Sequence, residues 1–176
     1  MRPTMAAIVA RIRDLVGDNG PDQVWSDDEI ERFADAVAIV GAQVQLDPVG
    51  PLPSTTWRTL VAPWELGARL YDAAGNQLTV ASDRGTSGVW ETTTPVRGPV
   101  WVLGNLIDVY LAAATLLDAW AAREKASYDV EVAGDTRLSR SQKVSHLLEL
   151  AARYRSQAWP RVSVAGRTDL EGVVPW

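Results

Sequence analysis

The sequence contains no cysteine. Disulfides, thiolate nucleophiles and cysteine-ligated metals are therefore excluded. It has a single histidine, His146, which excludes a histidine-rich metal site. Phenylalanine is nearly missing too, with one residue against eight tryptophans. Tryptophan serves both as core filler and as an interface anchor. No apolar run reaches the length needed to span a bilayer. The longest apolar-rich stretch, Val109 to Ala122, is broken by Thr115 and Asp118. Near the start, Arg11 and Arg13 interrupt the chain before a secretion signal could form. Synthesis in the cytoplasm and no membrane partner are the expectations. Positive charge is the minority sign, and the net charge is -5. That balance disfavours a protein whose main task is gripping nucleic-acid phosphates.

With 176 residues, the chain suits one domain carrying a modest insertion. Ile8, Ile12, Leu15 and Val16 recur at helical spacing, which predicts a first helix over Thr4 to Val16, stopped by Gly17. Asp18 to Asp22 is a turn by composition. Ser26 then offers an N-cap, and Glu29 three residues on completes a capping box. Trp25, just before the cap, is placed to staple onto Ile30. The second helix is expected to run to about Ile39, with Ile30, Phe33, Ala34 and Val37 on one face.

From Val44 to Val100 the character changes. Six prolines and many glycines and threonines separate short β-prone runs at Thr56–Val61, Ala68–Tyr71, Gln77–Val80 and Val89–Thr93. Arg69 to Val80 reads as a hairpin with a Gly75-Asn76 turn. Ser82 to Gly88 is polar and glycine-bearing, and reads as a mobile loop. A third helix is expected over Trp101 to Lys125, its many alanines permitting close packing, with Trp101 and Trp120 on a packed side. Tyr128 to Val132 alternates, Ala133-Gly134-Asp135 makes a turn, and Thr136 to Leu138 is a further extended piece. Ser139 would cap a fourth helix ending near Gln157. The expected fold class is mainly α: a bundle of about four helices with a small β-hairpin or β insertion and an extended C-terminal tail. Residues 1–43 would form the N-terminal helical part, 44–100 a β-rich insertion, 101–157 the C-terminal helical part, and 158–176 the tail.

Candidate chemistry is sparse. Asp27, Asp28 and Glu29 form an acidic triplet, which capping explains more simply than metal binding. His146 follows Ser139, Ser141 and Ser145, but a triad needs a spatial arrangement that spacing alone does not supply. Gly85-Thr86-Ser87-Gly88 lacks the lysine of a phosphate loop. Trp57, Trp64, Tyr71 and Trp90 could stack on sugars, or fill the core of a small β layer, the simpler reading. No catalytic, cofactor-binding or metal-ligating residue is therefore expected, and no cofactor. Arg137, Arg140, Lys143, Arg153 and Arg155 make the C-terminal third locally basic, and Arg161 and Arg167 continue this into the tail. A solvated helix face is the simpler reading, and a surface for an acidic partner or passing DNA the functional one.

Three stretches together resemble one family. The first is Ile12 to Asp18 followed by Trp25-Ser26-Asp27-Asp28-Glu29-Ile30. The second is the alanine-rich Asp108 to Leu117. The third is Val130 to Ser139 followed by Leu147 to Arg155. In order and spacing they resemble the head-to-tail adaptor, or head completion protein, of long-tailed bacteriophages. Membership would imply a non-enzymatic virion protein of the neck, present in the host cytoplasm during assembly. It would form a ring of about twelve copies beneath the portal protein and dock the stopper or tail-completion protein. Viral DNA would pass through the channel without specific binding. The residues placed to meet a partner are then Trp159, Arg161, Arg167 and Trp176 of the tail, with Arg137 and Arg140. The Val44 to Val100 insertion departs from compact members. Alternatives are another neck component, such as a stopper or tail terminator, and a carbohydrate-binding module.

Overall fold

The computed structural model describes residues 1–126 and 136–159, with backbone alone for 136–141. The expectations for 128–135 and for the tail beyond Trp159 lie outside the described residues.

The N-terminal helical segments follow the sequence closely. A 3-10 turn at Pro3–Met5 leads into α1, Ala6–Val16, which buries Ile8, Val9, Ile12 and Val16. Gly17 ends it in the left-handed conformation at φ 72, where glycine carries no Cβ penalty. Helix α2, Asp27–Ala36, opens on the expected capping box: Ser26 accepts from the Glu29 backbone N–H, and Glu29 accepts from Ser26. Trp25 is buried beside Ile30 in the helical core, and its ring meets Phe33 edge-on at 5.5 Å.

The fold class departs from expectation. The chain is a mixed α/β protein, and a mainly helical bundle is ruled out by a seven-stranded antiparallel sheet that curls most of the way to a barrel. The strands are β1 (Ile39–Pro48), β2 (Ser54–Arg58), β3 (Arg69–Tyr71), β4 (Gln77–Leu78), β5 (Val80–Arg84), β6 (Val89–Val96) and β7 (Val100–Leu106). Their order across the sheet is β4-β3-β7-β1-β2-β6-β5. Strand β1 bridges the two halves. Its first part pairs with β7 and its last residues, Asp47 and Pro48, pair with β2.

Four local expectations change with it. Helix α2 stops at Ala36, with Val37 as its C-cap, because the β-branched pair Ile39 and Val40 opens β1 instead of extending the helix. Trp101 to Leu106 is strand, not helix. Val100 and Val102 point into the core while Trp101 and Leu103 stand half-buried on the other face. The third helix, α3, therefore covers only Val109–Ala126. Ser82 to Gly88 is no loose loop, since β5 and a 3-10 turn at Gly85–Ser87 occupy it. Thr136 to Leu138 is helical, and α4 spans Thr136–Gln157, so Ser139 lies inside the helix. The hairpin does form: Leu70 faces Leu78 and Tyr71 faces Gln77, closed by the Asp72 to Asn76 turn.

Two cores result. The helical one gathers Met5, Ile8, Ile12, Trp25, Ile30, Leu116, Leu117 and Ala151. The sheet core encloses Leu46, Trp57, Trp64, Leu70, Trp90, Val100 and Val102. They are joined by polar contacts. Glu65 accepts from Thr4 Oγ1 at 2.7 Å and from Asn105 Nδ2 at 2.9 Å. Gly88 shows how tightly the sheet is closed. Its φ is +73, and a Cβ there would stand 2.6 Å from the Thr59 carbonyl oxygen.

Candidate interface

Of the residues expected to meet a partner, Trp159 is described in full. It is half-buried and packs against the sheet core. Its backbone N–H donates to Asp108 Oδ2 at 2.9 Å. The other oxygen of that buried carboxylate accepts from Leu111 N at 3.0 Å. One side chain thus caps α3 and holds the chain that leaves α4, and Trp159 is seated in its own molecule. Arg137 and Arg140 lie on α4, with side chains outside the described residues. Arg161, Arg167 and Trp176 also lie outside them.

The basic set is partly consumed by neighbours. Lys143 Nζ meets Glu124 Oε1 at 2.7 Å, and Arg155 pairs with Asp118. Arg153 is exposed. Exposed His146 has no hydrogen bond to a serine or carboxylate among the described residues. No group of three or more metal-ligating side chains occurs among them, and no helix among them is long and apolar enough to cross a membrane. The aromatic set divides: Trp57, Trp64 and Trp90 are fully enclosed, and Tyr71 is half-buried. Sugar stacking needs exposed ring faces, which the three tryptophans do not offer.

The acidic triplet is fully used within the chain. Asp27 pairs with Arg13 at 2.6 Å. Asp28 is held below its ordinary value by a hydrogen bond from the N-terminal amine. Glu29 is lowered by the Ser26 backbone N–H first, then by the Ser26 hydroxyl and Arg123. Burial pushes the Glu31 carboxyl up, but the Arg2 backbone N–H and guanidinium outweigh it and leave it lowered.

Two features escaped the sequence reading. Arg13 is buried and braces the α1–α2 turn. It donates to Asp18 Oδ2 at 2.9 Å, to the Trp25 carbonyl at 3.0 Å and to Asp27. The available signal was its position four residues after Val9 and three before Val16, on the apolar face of α1. The second is a groove of about 390 Å³ between α2 and α3, lined by Trp25, Phe33, Ala36 and Ala119 with Glu29, Arg32 and Arg123 at its rim. Arg123 lies 3.7 Å over the Trp25 ring and 3.2 Å from Glu29 Oε1. These partners are separated by more than ninety positions (94 for Arg123 and Glu29), so no local pattern announces the groove.

Comparison with known protein families, curated proteins and solved structures finds no match for this chain.

Proposed function

We propose that this chain is a structural, non-enzymatic subunit of a phage neck, a head-to-tail adaptor that docks beneath the portal protein and receives the stopper or tail-completion protein. The observation that carries the reading is the meeting of the two ends of the chain. Within the described residues, the stretches that resemble the family fall on α1–α2, α3 and α4, and Val130 to Asp135 of the third lies outside them. Helices from both ends of the chain share one core, and Tyr154 Oη donates to the Leu15 carbonyl at 2.8 Å across 139 positions. The sheet is then an insertion into a helical frame. The acidic balance is compatible with a channel wall past which DNA slides, since an excess of negative charge does not hold phosphate.

The size of the sheet favours a second reading. Stoppers and tail terminators are β-rich, and seven strands exceed the small insertion expected of an adaptor. Electron microscopy of the connector region decides between the two. A ring in direct contact with the portal supports the adaptor. A ring further along the neck or at the tail supports the second reading. Absence from the virion, together with no binding to purified portal, overturns both.

A further inference from the structure

An open groove lies between α2 and α3, and α4 carries a half-exposed leucine that is complementary to it. In the α2–α3 groove, Ala36 and Ala119 supply the short walls that leave space, while Trp25 and half-buried Phe33 supply the aromatic lining. Arg123 is already oriented. One face of its guanidinium lies on Trp25, and one nitrogen is tied to Glu29. A guanidinium has five N–H donors, so most of them remain available. A group held in place in advance loses little freedom when a carboxylate docks. Glu29 is occupied by the capping box and by Arg123. Arg32 is exposed, makes no close ion pair among the described residues and lies within electrostatic reach of Asp28. Two arginines stand at the groove, and the nearby carboxylates Glu29 and Asp28 are engaged by the capping box and by the N-terminal amine.

The complementary feature is on α4. Leu148 is 48% exposed, and among the described residues of α1 to α4 it is the one large apolar side chain so exposed. Glu149 beside it is exposed and has no ion pair among the described residues. Groove and knob lie on different elements, so a contact made once between two copies is heterologous, the kind that builds rings or filaments.

We propose that the groove receives α4 of a second copy of this chain, with Leu148 entering between Ala36 and Ala119 and Glu149 meeting Arg32 and Arg123. Arg153 stands one turn beyond Glu149 on the same helix, so sliding by a turn would set arginine against arginine. The charge pattern thus selects one register. The pairing stands on the groove and the knob, and only its closure into a ring rests on the neck reading.

The absence of cysteine makes the test clean. Protein carrying Ala36→Cys is mixed with protein carrying Leu148→Cys and treated with a bis-maleimide, without portal. The expected product joins one copy of each, well above the dimers formed by either variant alone. Adding Arg32→Glu to the first protein lowers that product about tenfold, the effect of one lost and inverted charge contact. Adding Glu149→Arg to the second restores it. Circular dichroism confirms that each variant keeps its fold. No mixed product, equal yields from the single variants, or indifference to Arg32→Glu overturns the contact. Portal binding by a chain that never forms this pair would retain the neck role and remove the contact, so the two fail separately.

Discussion

Four alanines, Ala112, Ala113, Ala114 and Ala121, line the buried face of α3, whereas three tryptophans, Trp57, Trp64 and Trp90, fill the sheet core. The contrast follows from shape. Helices pack closely when the side chains between them are short, so the helical core gains from close approach. A nearly closed sheet of short strands encloses a volume that must be filled. Three indoles fill it, with Trp57 opposite Trp90 in the β2–β6 ladder and Trp64 edge-on to Trp90 at 5.9 Å. The indole N–H groups of Trp57 and Trp90 find no acceptor among the described residues. Trp64 Nε1 donates to the Val61 carbonyl at 2.6 Å, while Trp57 and Trp90, like Trp25 in the helical core, serve by their size. The helical core leans instead on polar braces at its margin, Arg13 above all.

The comparison predicts opposite sensitivities. The largest effect is expected from emptying the sheet core. Trp90→Ala should cost about 3–5 kcal/mol, read as a lowered midpoint in urea denaturation. Trp90→Phe should cost clearly less, because it keeps most of the volume and removes a donor without an acceptor. Equal losses in the two variants would show that the indole edge matters after all. Next comes the brace of the helical layer. Arg13→Ala leaves buried Asp18 without its cation, and a broken buried pair costs about 3–5 kcal/mol. The lower end is expected, since Asp27, its other carboxylate partner, is half exposed. A loss under the surface-pair range of about 1 kcal/mol would sink the idea that Arg13 braces the turn.

Adding volume should hurt where removing it does not apply. Ala113→Leu overpacks the helical core and should cost about 1–3 kcal/mol. If the variant were as stable as the parent, the close approach of α3 to its neighbours would not be what the alanines provide. The smallest effects belong to the α2 cap. Ser26→Ala should cost about 1 kcal/mol. Glu29 has its pKa lowered from the ordinary 4.5 in the folded chain. Its contribution to stability is therefore present above pH 4.5 and lost as the pH falls through the lowered value. Glu29→Gln should flatten that acid limb in a pH series of denaturation curves, and an unchanged limb would remove the carboxylate from the account.

Much of the helical layer was legible because its signals are local. Ser26 and Glu29 sit three apart, Gly17 follows an apolar helix face, and Arg69 to Val80 has both strands and its turn within twelve positions. The candidate interface was legible in chemistry more than in place. Trp159 packs against its own sheet core, a seat that no local pattern announces. The groove of Arg123 on Trp25 joins residues far apart in the chain, and no spacing rule reaches that far.

The sequence by itself determined where α2 begins, where α1 stops and how the β3–β4 hairpin turns, because each depends on backbone groups satisfied within a few residues. Tertiary structure decided the state of Val100 to Leu106. That segment is apolar enough to satisfy a helical period and alternates enough to satisfy a strand, so local preference leaves it undivided. It becomes a strand because β1 and β3 lie on either side to take its backbone hydrogen bonds, while Val100 and Val102 complete the core around the three tryptophans.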